Sequence, residues 1–270
     1  MLNKTLLISL ILLVCDNYFS QVSSADYSHL ICKYKVEFLI DSTDTTNKKE
    51  EIMTLLVGNH ISLYKSDQKA MRDSLSREAV KNSINSMKSS GSKDITIDLS
   101  KAPRVNLQHE VLFKNDQLLI YDKVFKYLFS YEVNKNVVWT LTKETKRIND
   151  YLCYKAIGVY GKRTWIAWYT KSIPIPEGPY VFKGLPGLIV SLNDNRNTYS
   201  FQLIYLKNEK REIQPMKNAV NTTYEKFVKA RKDSKDNATI NAQSLMHRDL
   251  TKEELDLINR NTAKRNNFLD

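Results

Sequence analysis

What most constrains this chain is a period of two that recurs along its first three quarters. In ICKYKVEFLI (31–40), Cys32, Tyr34, Val36, Phe38 and Ile40 point one way while Lys33, Lys35 and Glu37 point the other. Successive side chains of a strand face opposite sides, so the segment reads as a half-buried antiparallel strand. The same rule predicts a strand from Met53 to Tyr64, with Gly58-Asn59 as a bulge. It also predicts a strand over 116–132, with Phe125, Tyr127, Phe129 and Tyr131 in one row. Further strands are expected at 137–143, 151–160, 163–170, 187–193 and 198–206, with Gly161-Lys162 as a short hairpin turn. One helix interrupts the series at 67–88, capped by Ser66 or Asp67, with Met71, Leu75, Ala79, Ile84 and Met87 near one side.

The first twenty residues differ. Lys4 precedes an apolar run from Leu6 to Val14 broken only by Ser9, the layout of a secretory signal peptide at 1–20 and too short to span a bilayer. Cleavage is expected between Ser20 and about Ala25. Cys15 is preceded by Val14, where a lipoprotein signal carries a small residue, so lipid attachment is the lesser reading. Residues 26–206 then form a single antiparallel β domain. After Leu206 charge dominates and glycine is absent, which predicts a charged, partly helical tail over 207–270 with helical segments near 222–235 and 251–264. Export leaves two cysteines, Cys32 and Cys153; in an oxidising compartment they suggest one disulfide, with two separate buried thiols as the other reading.

The formal net charge of +11 raises the question of nucleic acid. The lysines are dispersed, no dense run is interleaved with aromatics, and the leader routes the chain away from nucleic acid, so that partner is excluded. Solubility, or attraction to an anionic membrane or polysaccharide surface, accounts for the charge. None of the four histidines has a metal-site spacing, and no cofactor or metal is expected. GxSxG, GxGxxG and the P-loop ending are all absent. What chemistry the sequence offers is confined to Glu177 and Asp194, with Arg163 or a histidine, as the makings of a hydrolase site for peptide or glycan.

Backbone constraint is concentrated in one block: five of the seven glycines and four of the six prolines fall between Gly158 and Gly187. Ile173-Pro174-Ile175-Pro176 should be extended and polyproline-like. Gly178-Pro179 permits a bend. Leu185-Pro186-Gly187-Leu188 has the residues of a type II turn with φ > 0 at Gly187, after which the chain re-enters the sheet. A rigid corner anchored by Leu185, Leu188 and Ile189 is the reading.

This block resembles the signature of the GLPGLI family, secreted proteins of the Bacteroidetes named for the string Gly184-Leu185-Pro186-Gly187-Leu188-Ile189. The likeness extends to Cys153-x-Lys155-Ala156, Gly161-x-Arg163-x-Trp165-x-Ala167-Trp168-Tyr169-Thr170, Ile173-Pro174 and Gly178-Pro179-Tyr180. The resemblance implies secretion across the inner membrane to a Gram-negative periplasm or outer membrane, and supplies no activity.

These pieces favour a mainly β fold: a curved antiparallel open sheet or half-barrel, similar to periplasmic lipoprotein carriers, with the helix lying across its concave face. Phe125, Tyr127, Phe129, Trp165, Tyr169, Phe201 and Tyr205 then either line a groove or fill a closed core. The functional expectation is a non-enzymatic envelope protein binding an apolar ligand, a peptide or an outer-membrane partner, with the hydrolase as the alternative.

Overall fold

The computed structural model describes residues 25–90, 97–133 and 137–270, so the expected leader and Cys15 lie outside the described residues. The fold is mainly β. Twelve strands form one open sheet: β1 (Ser28–Leu39), β2 (Lys48–Gly58), β3 (Ile61–Ser66), β4 (Glu110–Lys114), β5 (Gln117–Val124), β6 (Tyr127–Glu132), β7 (Trp139–Ile148), β8 (Tyr151–Tyr160), β9 (Arg163–Thr170), β10 (Leu188–Asp194), β11 (Tyr199–Asn208) and β12 (Val220–Asn221). Their order is β12-β6-β5-β4-β3-β2-β1-β11-β10-β9-β8-β7, antiparallel throughout except for the short parallel β12–β6 pair. Neighbouring hairpins thus fan out on both sides of a central β2-β1-β11 unit.

Two expected long strands are hairpins. The 53–64 segment turns at Asn59-His60, with His60 at φ 56°, and 116–132 turns at Phe125-Lys126, with Phe125 at φ 56°. Alternation survives on either side of each turn, which is why a period-two reading runs straight through them. At the Gly161-Lys162 hairpin both residues have positive φ, the pattern of a type I′ turn.

The period sorts side chains as the sequence implies. Cys32, Tyr34, Val36 and Phe38 of β1 are buried in the larger core, on what we term the inner face. Ile31, with Leu56, Leu63 and Leu112, belongs to a smaller cluster on the outer face, closed by Ile213 from the segment after β11.

The inserted helix, α1 (Asp67–Ser90), is not on the inner face. Asp67 accepts from Lys33 Nζ at 2.6 Å and Thr54 Oγ1 at 2.5 Å, and both donors project from the outer face. None of its described residues is buried. A stripe of widely spaced Met71, Ala79 and Ile84 among charges is too weak to dock.

The inner face is covered by two other segments. Residues 171–187, between β9 and β10, fold back onto it and insert Phe182, whose ring centroid lies 4.5 Å from Trp165, 5.7 Å from Tyr160, 6.2 Å from Trp139 and 6.4 Å from Phe201. The C-terminal segment adds three helices, α2 (Tyr224–Asp236), α3 (Ala238–Met246) and α4 (Lys252–Ala263). Thr223 caps α2, and a capping box of Thr251 and Glu254 opens α4. Phe227 of α2 is buried against Tyr131, 4.7 Å between centroids, and Phe129, 6.2 Å.

Cys32 and Cys153 are buried and free. β1 and β8 are separated in the sheet by β11, β10 and β9, four strand spacings or roughly 19 Å along the sheet, against the roughly 7 Å that a disulfide spans. The expected bridge is therefore corrected to two separate thiols.

Candidate functional site

The prolines of the 171–187 segment build its shape by a route the sequence reading did not foresee. Ile175 N–H donates to Ile173 O (2.8 Å), Glu177 N–H to Ile175 O (2.7 Å) and Gly187 N–H to Leu185 O (2.7 Å). These are three-residue turns centred on Pro174, Pro176 and Pro186, whose fixed φ suits the inverse γ-turn. They replace the expected polyproline run and the type II turn. Leu188 N–H donates instead to Ile173 O at 3.0 Å, stitching the corner's two ends together. Gly187 has φ 157°, and a Cβ there would sit 2.0 Å from Thr170 O; at Gly178 it would sit 2.4 Å from Phe182 O. Leu185, Leu188 and Ile189 are fully buried, Tyr34 Oη donates to Ile189 O (2.7 Å), and Trp139 Nε1 to Lys183 O (2.8 Å). Pro179, Gly184 and Pro186 complete the same corner, where Phe182 N–H meets Pro179 O (3.1 Å) and Gly184 N–H meets Pro176 O (3.0 Å).

The expected aromatic groove is dispersed. Trp165, Tyr169 and Phe201 are buried in the core, Phe129 packs under α2, and Tyr127 and Tyr205 are exposed. Phe125, at the β5–β6 turn, borders a cavity. The hydrolase residues are also divided. Glu177 pairs with Lys183, which also donates to Ser62 Oγ (2.8 Å). Asp194 accepts from Arg163 (3.2 Å), Thr198 N–H (2.7 Å) and Oγ1 (2.7 Å), and Tyr199 N–H (2.9 Å). Arg163 continues to Asn267 Oδ1 (2.5 Å) and Phe268 O (2.8 Å), while Asn267 Nδ2 donates to Leu39 O (2.6 Å). That network fastens the C-terminal residues to β1 and β9, and its carboxylate is saturated with structural donors.

What the structure does assemble is a cavity of about 650 Å³ between the inner face and α2–α4. Its floor comes from Phe38, Ile120, Asp122, Tyr131 and Tyr199, its wall from His109 and Tyr180, and its roof from Arg231, Asn241, Ala242 and Leu245. None of its lining belongs to α1. His109 is 8% exposed, packs edge-on against Tyr180 (5.1 Å), and its Nε2 has no hydrogen-bond partner among the protein groups. Burial pushes its imidazole down to about 4, partly offset by the charge of Asp270. Asp122 is pushed up to about 7 by desolvation, with its own neighbour's amide and Arg231 acting against that. Asp270 accepts from Arg231 Nη1 at 3.0 Å through Oδ1, while its buried Oδ2 has no partner. Desolvation also raises the phenols of Tyr131, Tyr180 and Tyr199, so all three are neutral donors.

Sequence reasoning missed this group. Asp122 carried a signal: on β5 it follows Leu118 and Ile120 on the core-facing side, a carboxylate where the period demands an apolar residue. His109, Arg231 and Asp270 carried none, since tertiary docking of the tail alone brings them together. Among the described residues no group of three or more His, Cys, Asp or Glu could hold a metal ion, and no helix is long and apolar enough to cross a membrane.

A family profile described as "Protein of unknown function (Porph_ging)", associated with the Bacteroidetes, matches residues 157–191, from within β8 through the corner to β10. Comparison with curated proteins finds no match. Among solved structures, "Structure of PNGF-II in C2 space group" is similar with a TM-score of 0.49 and 13% identity, over 78% of this chain and 34% of that one. "Structure of PNGF-II in P21 space group" gives a TM-score of 0.48 and 14% identity over the same shares. The chain spans about a third of the length of those solved chains.

Proposed function

We propose that this chain is a secreted envelope protein of the GLPGLI type that holds a small ligand in the cavity beneath α2–α4 and does not turn it over. The carrying observation is the cavity itself: about 650 Å³, walled by aromatic rings and carrying buried polar atoms that lack partners, within the size range of small-molecule sites. The division of Glu177 and Asp194 into separate, satisfied ion pairs supports a binding role over hydrolysis. The leader-like start and the corner motif support an envelope location.

Native mass spectrometry of the chain purified from a Bacteroidetes envelope tests this. Wild type should carry an added small-molecule mass that Ala242→Trp, which fills the cavity, loses. Wild type and variant each appearing only at its own bare chain mass would contradict the proposal.

A further inference from the structure

The charges that line the cavity at partly buried positions do not balance among the described residues. Among the described cations that line it, Arg231 is the one at a partly buried position, where it bonds Asp270 and stacks over Phe268 with its guanidinium 4.0 Å from the ring centroid. Asp270 takes that guanidinium in an ion pair, whereas Asp122 is in no ion pair among the described residues. Lys123, Lys235 and Arg265 border the cavity only at exposed positions, where solvent and salt screen them. Independently of the charges, His109 is more than nine-tenths buried and presents an unpartnered Nε2 in the cavity wall. A buried acceptor such as Asp270 Oδ2 needs a donor, and a desolvated carboxylate needs a positive charge. Tyr131, Tyr180 and Tyr199 line the same space with aromatic side chains.

We propose that the cavity takes an aromatic primary amine, its ammonium against Asp270 and Asp122 and its ring among Tyr131, Tyr180 and Tyr199. This rests on the binding role proposed above. An anionic head would face two carboxylates, and a neutral head would leave their charge uncompensated. The ammonium satisfies Oδ2 and gives Asp122 the counter-charge it lacks, while a further polar group on the ligand can meet His109.

The test is calorimetric titration of the full chain with three matched probes, phenethylamine, 2-phenylethanol and 3-phenylpropanoate. The amine should bind at least about tenfold tighter than the alcohol, the worth of one hydrogen bond to a charged group, and the carboxylate should not bind. Asp270→Asn and Asp122→Asn should each reduce the ratio of amine to alcohol affinity, and the circular dichroism spectrum of each variant reports whether the fold is intact. Binding of the carboxylate as tight as the amine, an amine preference untouched in both variants, or no amine binding overturns the inference. Nile red, a neutral dye, separates that failure from a wider one. Dye binding blocked by Ala242→Trp keeps the cavity as a binding site of other specificity, whereas absence of both dye and probe binding removes the binding role too.

Discussion

Gly187 lies where β10 leaves the corner, and Thr170 O occupies the space any side chain would need. Gly187→Val should therefore cost at least about 3 kcal/mol, through a backbone clash rather than a lost contact. Thermal melting checks it, and an unchanged midpoint would refute it. His109 and Asp122 impose opposite pH dependences. His109 is held neutral to about pH 4, whereas the unfolded imidazole takes up its proton near its ordinary 6.5; its contribution to stability falls as pH drops through that window. Asp122 keeps its proton up to about 7 when folded but loses it near 3.8 when unfolded, so its contribution falls as pH rises through that window. Urea unfolding at about pH 5 and about pH 8 separates them. Relative to wild type, His109→Gln should gain stability at the lower pH and Asp122→Asn at the higher, each by about 1–3 kcal/mol. Variant curves parallel to wild type would show that neither group is desolvated as described. At this scale the sequence was legible where a residue obeyed the period, as Cys32 does, while the break at Asp122 was a signal passed over. It was silent on partners supplied from far along the chain, as Asp270 is to Arg231.

Among the elements, the clearest contrast is between α1 and α2. Period and a capping residue located α1, and the charged, glycine-free composition of the tail located α2, because these are local properties. Which one docks is decided by a single large apolar side chain: Phe227 meets Tyr131 and Phe129, whereas Val80 and Ile84 of α1 meet solvent. Phe227→Ala should cost about 3–5 kcal/mol, and Val80→Ser or Ile84→Ser should stay within about 0.5 kcal/mol of wild type. Denaturant unfolding of the three variants decides it; comparable losses from the α1 changes would mean that α1 covers a core after all. The same logic explains the hairpins at Asn59-His60 and Phe125-Lys126. Neither turn holds a glycine at its positive-φ position, so the usual punctuation is missing and alternation hides the reversal.

As a whole molecule, an open sheet of twelve strands keeps its inner face covered by a proline-set corner on one side and a helical tail on the other. The open sheet followed from alternation and turn spacing. The covering did not, because it depends on long-range docking of segments that are polar or irregular when read alone. Since Cys32 and Cys153 are far apart along the sheet, and burial and the charge of Glu177 push the Cys32 thiol up to about 12, melting should be the same with and without reductant. A lower midpoint in reductant would point to a bridge. The most direct test is hydrogen exchange on the chain as isolated from its native cells and again after solvent extraction of whatever it carries. Extraction should loosen 107–109, 120–124, 231–245 and 258–270 while α1 and β7 stay unchanged. Identical exchange in those four segments, or a change confined to α1 or β7, would contradict it.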